Sequence, residues 1–337
     1  MIQSMKLMDC TLRDGANVVG TGFSRELTVM MIEGLIKCGI TTIEMGNAYG
    51  IGANESQKPG APLNDAEYLD LVQPYLSKAE IGMFVGVKNA IPKNVDIAAS
   101  RGLRFLRVGA NAGDGASAKE GIAYIKKKGL FCRYSLMKGY VLPAKELAKE
   151  ALMLESCGLD EITIMDSAGT MMPAQVSEYV AELTAKVKIP VAFHGHNNLG
   201  LSVANAIAAL RAGAEVLDCG LMGMARSAGN LSTEVAVAVF QREGVRTGAD
   251  LYTLLHFIDE ELAPAMEKYG YRSAISPVDL VYGLAGCHSN FAKLFEDAAK
   301  SHRVDLYRLI MEVSAIDQKS PSAELIDKIA RSIKGEK

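Results

Sequence analysis

Eight short apolar runs, each followed by a stretch with helical character, recur through the first two thirds of this 337-residue chain. They span Lys6 to Thr11, Thr41 to Gly46, Glu80 to Val87, Leu103 to Gly109, Leu130 to Met137, Asp160 to Asp166, Pro190 to His194 and Val216 to Leu221. Near-continuous apolarity marks strands buried on both faces, and regular strand-helix alternation builds parallel βαβ units. Eight units predict an α/β fold, a closed (β/α)8 TIM barrel. Ser24 reads as a helix N-cap, and Gly39, Gly102, Gly129, Gly158 and Gly213 fall where a helix should stop in the left-handed conformation.

Beyond Gly248 the pattern turns to helix alone, over Ala249 to Leu262, Pro277 to Leu284, Asn290 to Ser301, Asp305 to Ser314 and Ala323 to Ile333. We therefore expect a catalytic barrel over residues 1–248 and a helical C-terminal appendage over 249–337, acting as a lid or docking surface. A formal net charge of −3 and the absence of tryptophan leave no basic stripe for nucleic acid. No apolar run approaches the roughly 20 residues of a membrane span. The six cysteines lie scattered, without a CxxC pair. They read as reduced packing residues of a cytoplasmic protein.

In such a barrel the chemistry sits where strands end and βα loops begin. The polar residues fall there: Arg13 and Asp14 after the first run, Glu44 and Asn47 at the second, Asp166-Ser167 at the sixth, His194 and His196 at the seventh, Met222 to Asn230 after the eighth. Side chains alternate along an extended segment, so His194 and His196 face the same side, and an Asp from another strand end completes a three-ligand facial set. Mixed oxygen and nitrogen ligation with open positions suits Mn²⁺, Mg²⁺, Co²⁺ or Fe²⁺ better than a closed zinc site. A 2-oxo acid chelates such a cation through its carboxylate and keto oxygens. With an arginine alongside, the set is fitted to stabilise an enolate.

The segments Leu12-Arg13-Asp14-Gly15, Asp166-Ser167-Ala168-Gly169, His194-Gly195-His196-Asn197-Asn198 and Ser227-Ala228-Gly229-Asn230 resemble the signatures of the metal-dependent aldolase and Claisen-condensing TIM barrels, the hydroxymethylglutaryl-CoA lyase-like superfamily. Within it the chain is most similar to the 4-hydroxy-2-oxovalerate aldolases, through Val278-Asp279-Leu280 and Ala285 to Phe291 in the C-terminal region. The resemblance implies Asp14, His194 and His196 as metal ligands, with Mn²⁺ as the ion and Mg²⁺ or Co²⁺ as substitutes, and Asn230 as a further ligand or a loop residue. It implies that Arg13 holds the pyruvate enolate and that Ser167 touches the pyruvate carboxylate, with Glu44 and Asn47 lining the substrate site. The implied reaction is reversible cleavage of a 4-hydroxy-2-oxo acid to pyruvate and an aldehyde. An implied partner is an acylating aldehyde dehydrogenase docked on the appendage, or a second copy of the chain.

Two departures stand out. Asn17 occupies the place of a histidine that resembles the family's general base, and an amide takes no proton near neutral pH. His288 stands where those aldolases carry a tyrosine, so the base is expected to have moved there, with Tyr49, Tyr140 and metal-bound water as the other candidates. Arg107 and Arg133 are candidates to meet an acidic acceptor or to form internal ion pairs. The alternatives are an acyl-CoA-dependent Claisen synthase and a metal-binding barrel that has lost its activity.

Overall fold

The computed structural model describes residues 4–54 and 60–335. Eight parallel strands close into a barrel in chain order: β1 (Lys6–Asp9), β2 (Thr42–Met45), β3 (Glu80–Gly86), β4 (Phe105–Asn111), β5 (Phe131–Met137), β6 (Glu161–Asp166), β7 (Val191–Gly195) and β8 (Val216–Cys219). Around it lie α1 (Arg25–Lys37), α2 (Asp65–Leu71), α3 (Pro92–Ser100), α4 (Lys119–Lys127), α5 (Ala144–Glu155), α6 (Pro173–Thr184), α7 (Ser202–Arg211) and α8 (Thr233–Arg242). The expected TIM barrel is the observed fold. Ser24 caps α1 by accepting from the Leu27 N–H, and the five helix-ending glycines all take positive φ. A Cβ at any of them would be strained against the backbone.

Outward strand residues and inward helix faces form one continuous apolar core. A smaller cluster of Met8, Cys10, Phe105, Ala192 and Val216 fills the barrel interior. Alternation makes residues two apart share a face, so the strand that buries Phe105 inside also turns Arg107 inside. All six cysteines are free thiols. Among the described residues no helix is long and apolar enough to cross a membrane.

The helical region follows as α9 (Leu251–Phe257), which runs through a π turn at Ile258–Leu262 into α10 (Ala263–Glu267), then α11 (Pro277–Ala285), α12 (Ala292–His302), α13 (Leu306–Ser314) and α14 (Ala323–Gly335). The chain turns into it at Gly248 (φ 80°), where the Asp250 N–H donates to the Cys38 carbonyl at the end of α1 (2.8 Å). α9 then packs on α1 and α8, and α11 lies on α8 and α13.

Two acids are buried where α8 meets the barrel. Asp9 accepts from the Thr11 N–H (2.9 Å) and the Thr233 hydroxyl (2.8 Å), and Glu234 accepts from the Met222 N–H (3.1 Å). Burial pushes their carboxyls up to about 6 and about 7. The folded chain therefore keeps protons that the unfolded chain has already lost, and stability falls as pH rises from the ordinary carboxyl range toward 7. Glu234→Gln should remove part of this loss. Its melting temperature relative to the parent should be higher at pH 8 than at pH 5, by the equivalent of roughly 1–3 kcal/mol; an equal offset at both pH values would show that Glu234 does not titrate there.

Candidate metal centre

Asp14 leaves β1 in a tight turn. The Asp14 N–H donates to the Cys10 carbonyl (2.8 Å), and the Asn17 amide donates to the Asp14 carbonyl (2.8 Å). His194 ends β7, and His196 follows it on the same side, its backbone bridged to Asn230 of the loop after β8. The three side chains meet as expected, with Asp14 Oδ2 3.6 Å from His194 Nε2 and 3.7 Å from His196 Nε2. Their ligand atoms lie within 4.8 Å of one another, close enough for one ion.

A closed ring of ion pairs holds this set from below. Arg13 Nη1 lies 3.0 Å from Asp14 Oδ1, and Arg13 Nε donates to Glu44 Oε1 (2.6 Å). Arg107 donates from Nε to Glu44 Oε2 (2.6 Å) and from Nη2 to Glu44 Oε1 (2.7 Å). Arg107 Nη1 then pairs with Asp218, whose Oδ2 lies 3.0 Å from His194 Nδ1. His194 returns to Asp14 and closes the ring. Three carboxylates against two guanidiniums leave it one negative charge, which favours a cation.

Burial alone would raise the Asp14 and Asp218 carboxyls. For Asp14 the charges of Arg13, His194 and His196 outweigh it; for Asp218 Arg107 and His194 do; both stay far below the usual range. Burial and then His194 push His196 down to about 4, so near neutral pH its imidazole is unprotonated, as a ligand must be. Asp218 on Nδ1 turns His194 so that Nε2 faces Asp14, the carboxylate-histidine arrangement of metal sites.

Two buried polar atoms beside Asp14 lack a hydrogen-bond partner among the described residues, Arg13 Nη2 and Asn230 Oδ1. Asn230 Nδ2 donates to Asp14 Oδ2 (2.9 Å). An unused donor and an unused acceptor at a buried site are what a cation and an anionic ligand would satisfy, so the residues present fit a metal with a chelating acid. A second grouping of Cys10, His194 and Asp218 is also close enough for an ion, but the Arg107 guanidinium occupies it, 3.4 Å from the Cys10 sulfur. Burial and Asp218 push that thiol up, away from the thiolate a metal needs.

Other expected site residues have different employment. Both oxygens of Glu44 are engaged by Arg13 and Arg107, so Glu44 orients the arginine. Asn47 is saturated within its own loop: its amide donates to the Gly50 carbonyl and Asp65, and its oxygen accepts from the Tyr49 N–H. Asn17 pins the Asp14 turn. Ser167 accepts from the Lys138 N–H (2.9 Å) and keeps its own O–H to donate. Arg107 and Arg133 are internal; Arg133 pairs with Glu161 between Phe105 and Phe131, beside a cleft of about 600 Å³ at the opposite end of the barrel.

His288 is not brought to the site. Arg242 at the end of α8 donates to the Leu284 carbonyl (2.7 Å), and Met5 ahead of β1 donates its N–H to Arg246 (2.9 Å). The Ala285–Asn290 turn thus follows the end of α11 that lies by the C-terminal end of α8, toward the N-terminal end of the barrel. His288 is exposed there, and its Nδ1 accepts from the Asn290 N–H (3.1 Å). The segment of the C-terminal region that does reach the mouth is Tyr271–Ile275, in the loop between α10 and α11. Tyr271 donates to the Met222 carbonyl (2.9 Å), and the segment closes a cavity of about 300 Å³ with Asn197, Ser227 and Asn230. Asp218, a lone acid inside an apolar run, is the site residue that the sequence reading passed over.

Fold and site together define a (β/α)8 barrel whose C-terminal mouth carries an Asp-His-His set able to hold a metal ion. A profile of the HMGL-like family matches residues 4–259, and the chain belongs to that family. Among its relatives are a 4-hydroxy-2-oxovalerate aldolase of Carboxydothermus hydrogenoformans, 31% identical over 98% of this chain and 97% of that protein, and one of Rhodococcus jostii, 31% identical over 99% and 97%. Similar solved structures include the N-terminal domain of a putative aldolase from Bacteroides vulgatus (TM-score 0.68, 24% identity, 79% of this chain and 89% of that one) and the HMG-CoA lyase of Bacillus subtilis (TM-score 0.68, 19% identity, 83% and 98%).

Two substitutions test the ring. Arg107→Met leaves Glu44 and Asp218 buried without their cation, and urea unfolding should show a loss of about 3–5 kcal/mol. Asp218→Asn should weaken Mn²⁺ binding about ten- to a hundredfold in calorimetric titration, while the protein stays folded; unchanged affinity would remove Asp218 from the support of His194.

Proposed function

We propose that this protein is a divalent-metal-dependent aldolase that cleaves a 4-hydroxy-2-oxo acid reversibly to pyruvate and an aldehyde. One observation carries the reading: Arg13 Nη2 is buried and unpartnered among the described residues, immediately beside the Asp14, His194 and His196 set. The near-full-length relatives named 4-hydroxy-2-oxovalerate aldolase support it over an acyl-CoA-dependent synthase or an inactive barrel.

A divalent cation, Mn²⁺ in our reading, would be held by Asp14, His194 and His196, with Asn230 Oδ1 adjacent, and would polarise the 2-keto group of the substrate. Arg13 supplies a fixed N–H to the negative charge that grows on the keto oxygen as the C3–C4 bond breaks. Its Glu44 bond and its place over the Phe84 ring, 5.0 Å to the centroid, hold it there before substrate arrives. The Ser167 O–H serves the pyruvate carboxylate. Asn17 keeps Asp14 in place but cannot accept the 4-hydroxyl proton. His288 lies toward the far end of the barrel, His256 is bonded to Asp305, and His302 to Asp327. We therefore assign the proton to solvent water at the mouth. The expected partner, an acylating aldehyde dehydrogenase or a second copy of the chain, would meet the helical region, where Leu294 and Ile316 are exposed; sedimentation of the chain with and without such a dehydrogenase separates the two.

Chelator-stripped protein should release pyruvate from 4-hydroxy-2-oxo acids only after Mn²⁺ is restored, with no thiol release from acetyl-CoA and 2-oxo acids. Thiol release instead would transfer the chain to the condensing enzymes. Arg13→Gln should lower kcat about 10²- to 10³-fold with metal binding retained. His288→Gln should keep kcat within about threefold; a loss of about 10² or more, the weight of a general base, would restore that role to His288.

A further inference from the structure

Three loops at the barrel mouth carry an exposed cation: Lys88 after β3, Lys138 after β5 and Arg226 after β8. None has a carboxylate partner among the described residues. Of the acids on the neighbouring loops, Asp166 already accepts two backbone N–H groups, from Thr170 and Met171, while Asp114 is exposed and only 3.5 Å from the Asn111 amide.

Arg226 differs from the two lysines in being held. Its guanidinium lies over the Tyr49 ring, 5.1 Å from the centroid. Its loop is tied to the His196 segment by Asn198 Nδ2 on the Ser227 hydroxyl (2.7 Å) and by the Asn197 N–H on the Gly229 carbonyl (2.8 Å). Tyr49 belongs to the loop after β2 and Arg226 to the loop after β8; in the closed barrel β1 stands between those strands. A contact from one loop to the other therefore spans the loop after β1, which carries Arg13, Asp14 and Asn17. A planar cation without a carboxylate, oriented by an aromatic face beside a metal centre, suits a second anionic group on the ligand.

We propose that Arg226, aimed by Tyr49, selects an aldehyde acceptor that bears its own carboxylate, so that the full substrate is a 4-hydroxy-2-oxo dicarboxylate. The proposal rests on the pyruvate-aldolase reading and narrows it. In the condensation direction, C3 of the enolate adds to the aldehyde carbon, the C3–C4 bond forms, and the carbonyl electron pair moves to oxygen, which takes a proton. The second carboxylate is unchanged throughout and serves as a handle at the rim. Arg107 and Arg133, the sequence candidates for such an acid, are spent on internal ion pairs.

Succinic semialdehyde and butanal have the same chain length and differ in the terminal carboxylate. With Mn²⁺ and pyruvate, kcat/KM for the semialdehyde should exceed that for butanal about ten- to a hundredfold, the weight of one charge-assisted hydrogen-bonding pair. Arg226→Gln should bring the ratio close to one. Arg226→Lys should keep part of it, and Tyr49→Leu should give an intermediate ratio. Equal use of both aldehydes, or a ratio unmoved by Arg226→Gln, overturns the inference. Deuterium uptake at C3 of pyruvate, measured without any aldehyde, reads the donor half alone. Exchange without discrimination overturns the acceptor assignment and leaves the aldolase reading standing, whereas absence of exchange overturns the reading and the assignment with it.

Discussion

Everything at the barrel mouth depends on how the interior disposes of buried charge. Arg107 sits fully buried in the barrel interior, and a lone guanidinium there would cost several kcal/mol. Glu44 and Asp218 compensate it from β2 and β8, and each reaches one step further, to Arg13 and to His194. The ring that results fixes both the arginine and a candidate ligand histidine before any ligand arrives. Preorganisation of this kind is where a charge-stabilising site obtains its advantage over water.

Above the ring, loop-to-loop contacts set the ligand geometry. Gly169 of the Asp166-Ser167-Ala168-Gly169 turn takes φ 59°, and a Cβ there would stand 2.7 Å from the His196 carbonyl oxygen. Gly229 is as confined, with its Cβ position 2.2 Å from the Gly223 carbonyl oxygen. These glycines let the loops after β6, β7 and β8 lie against one another, and Asn230 then reaches Asp14 from the far side.

Much of this was legible in the chain. Apolar runs near the right boundaries, glycines in helix-ending positions, and the spacing of His194 and His196 each follow from local rules of periodicity and backbone conformation. The three candidate metal ligands could be grouped because all lie at or just past strand ends, where the barrel gathers them. Glu44 and Asn47 lie in the same places by that rule, yet their side chains are used up by Arg13 and Arg107 and by Gly50, Asp65 and Tyr49. Position along a strand says where a side chain starts and not what it meets.

The pattern of residues was enough to specify a closed parallel barrel, its mouth, and an Asp-His-His set there, because strand alternation and βα order are local and repeat eight times. Partnership was decided by the closed structure. Asp218 turns into the support of His194, Arg107 into the keystone of an internal ring, and Arg226 into a cation laid on Tyr49, all through pairings between residues far apart in the chain. The packing direction of α11 decided the place of His288. A turn's sequence records its shape, whereas which end of the barrel it faces depends on how one helix lies on another.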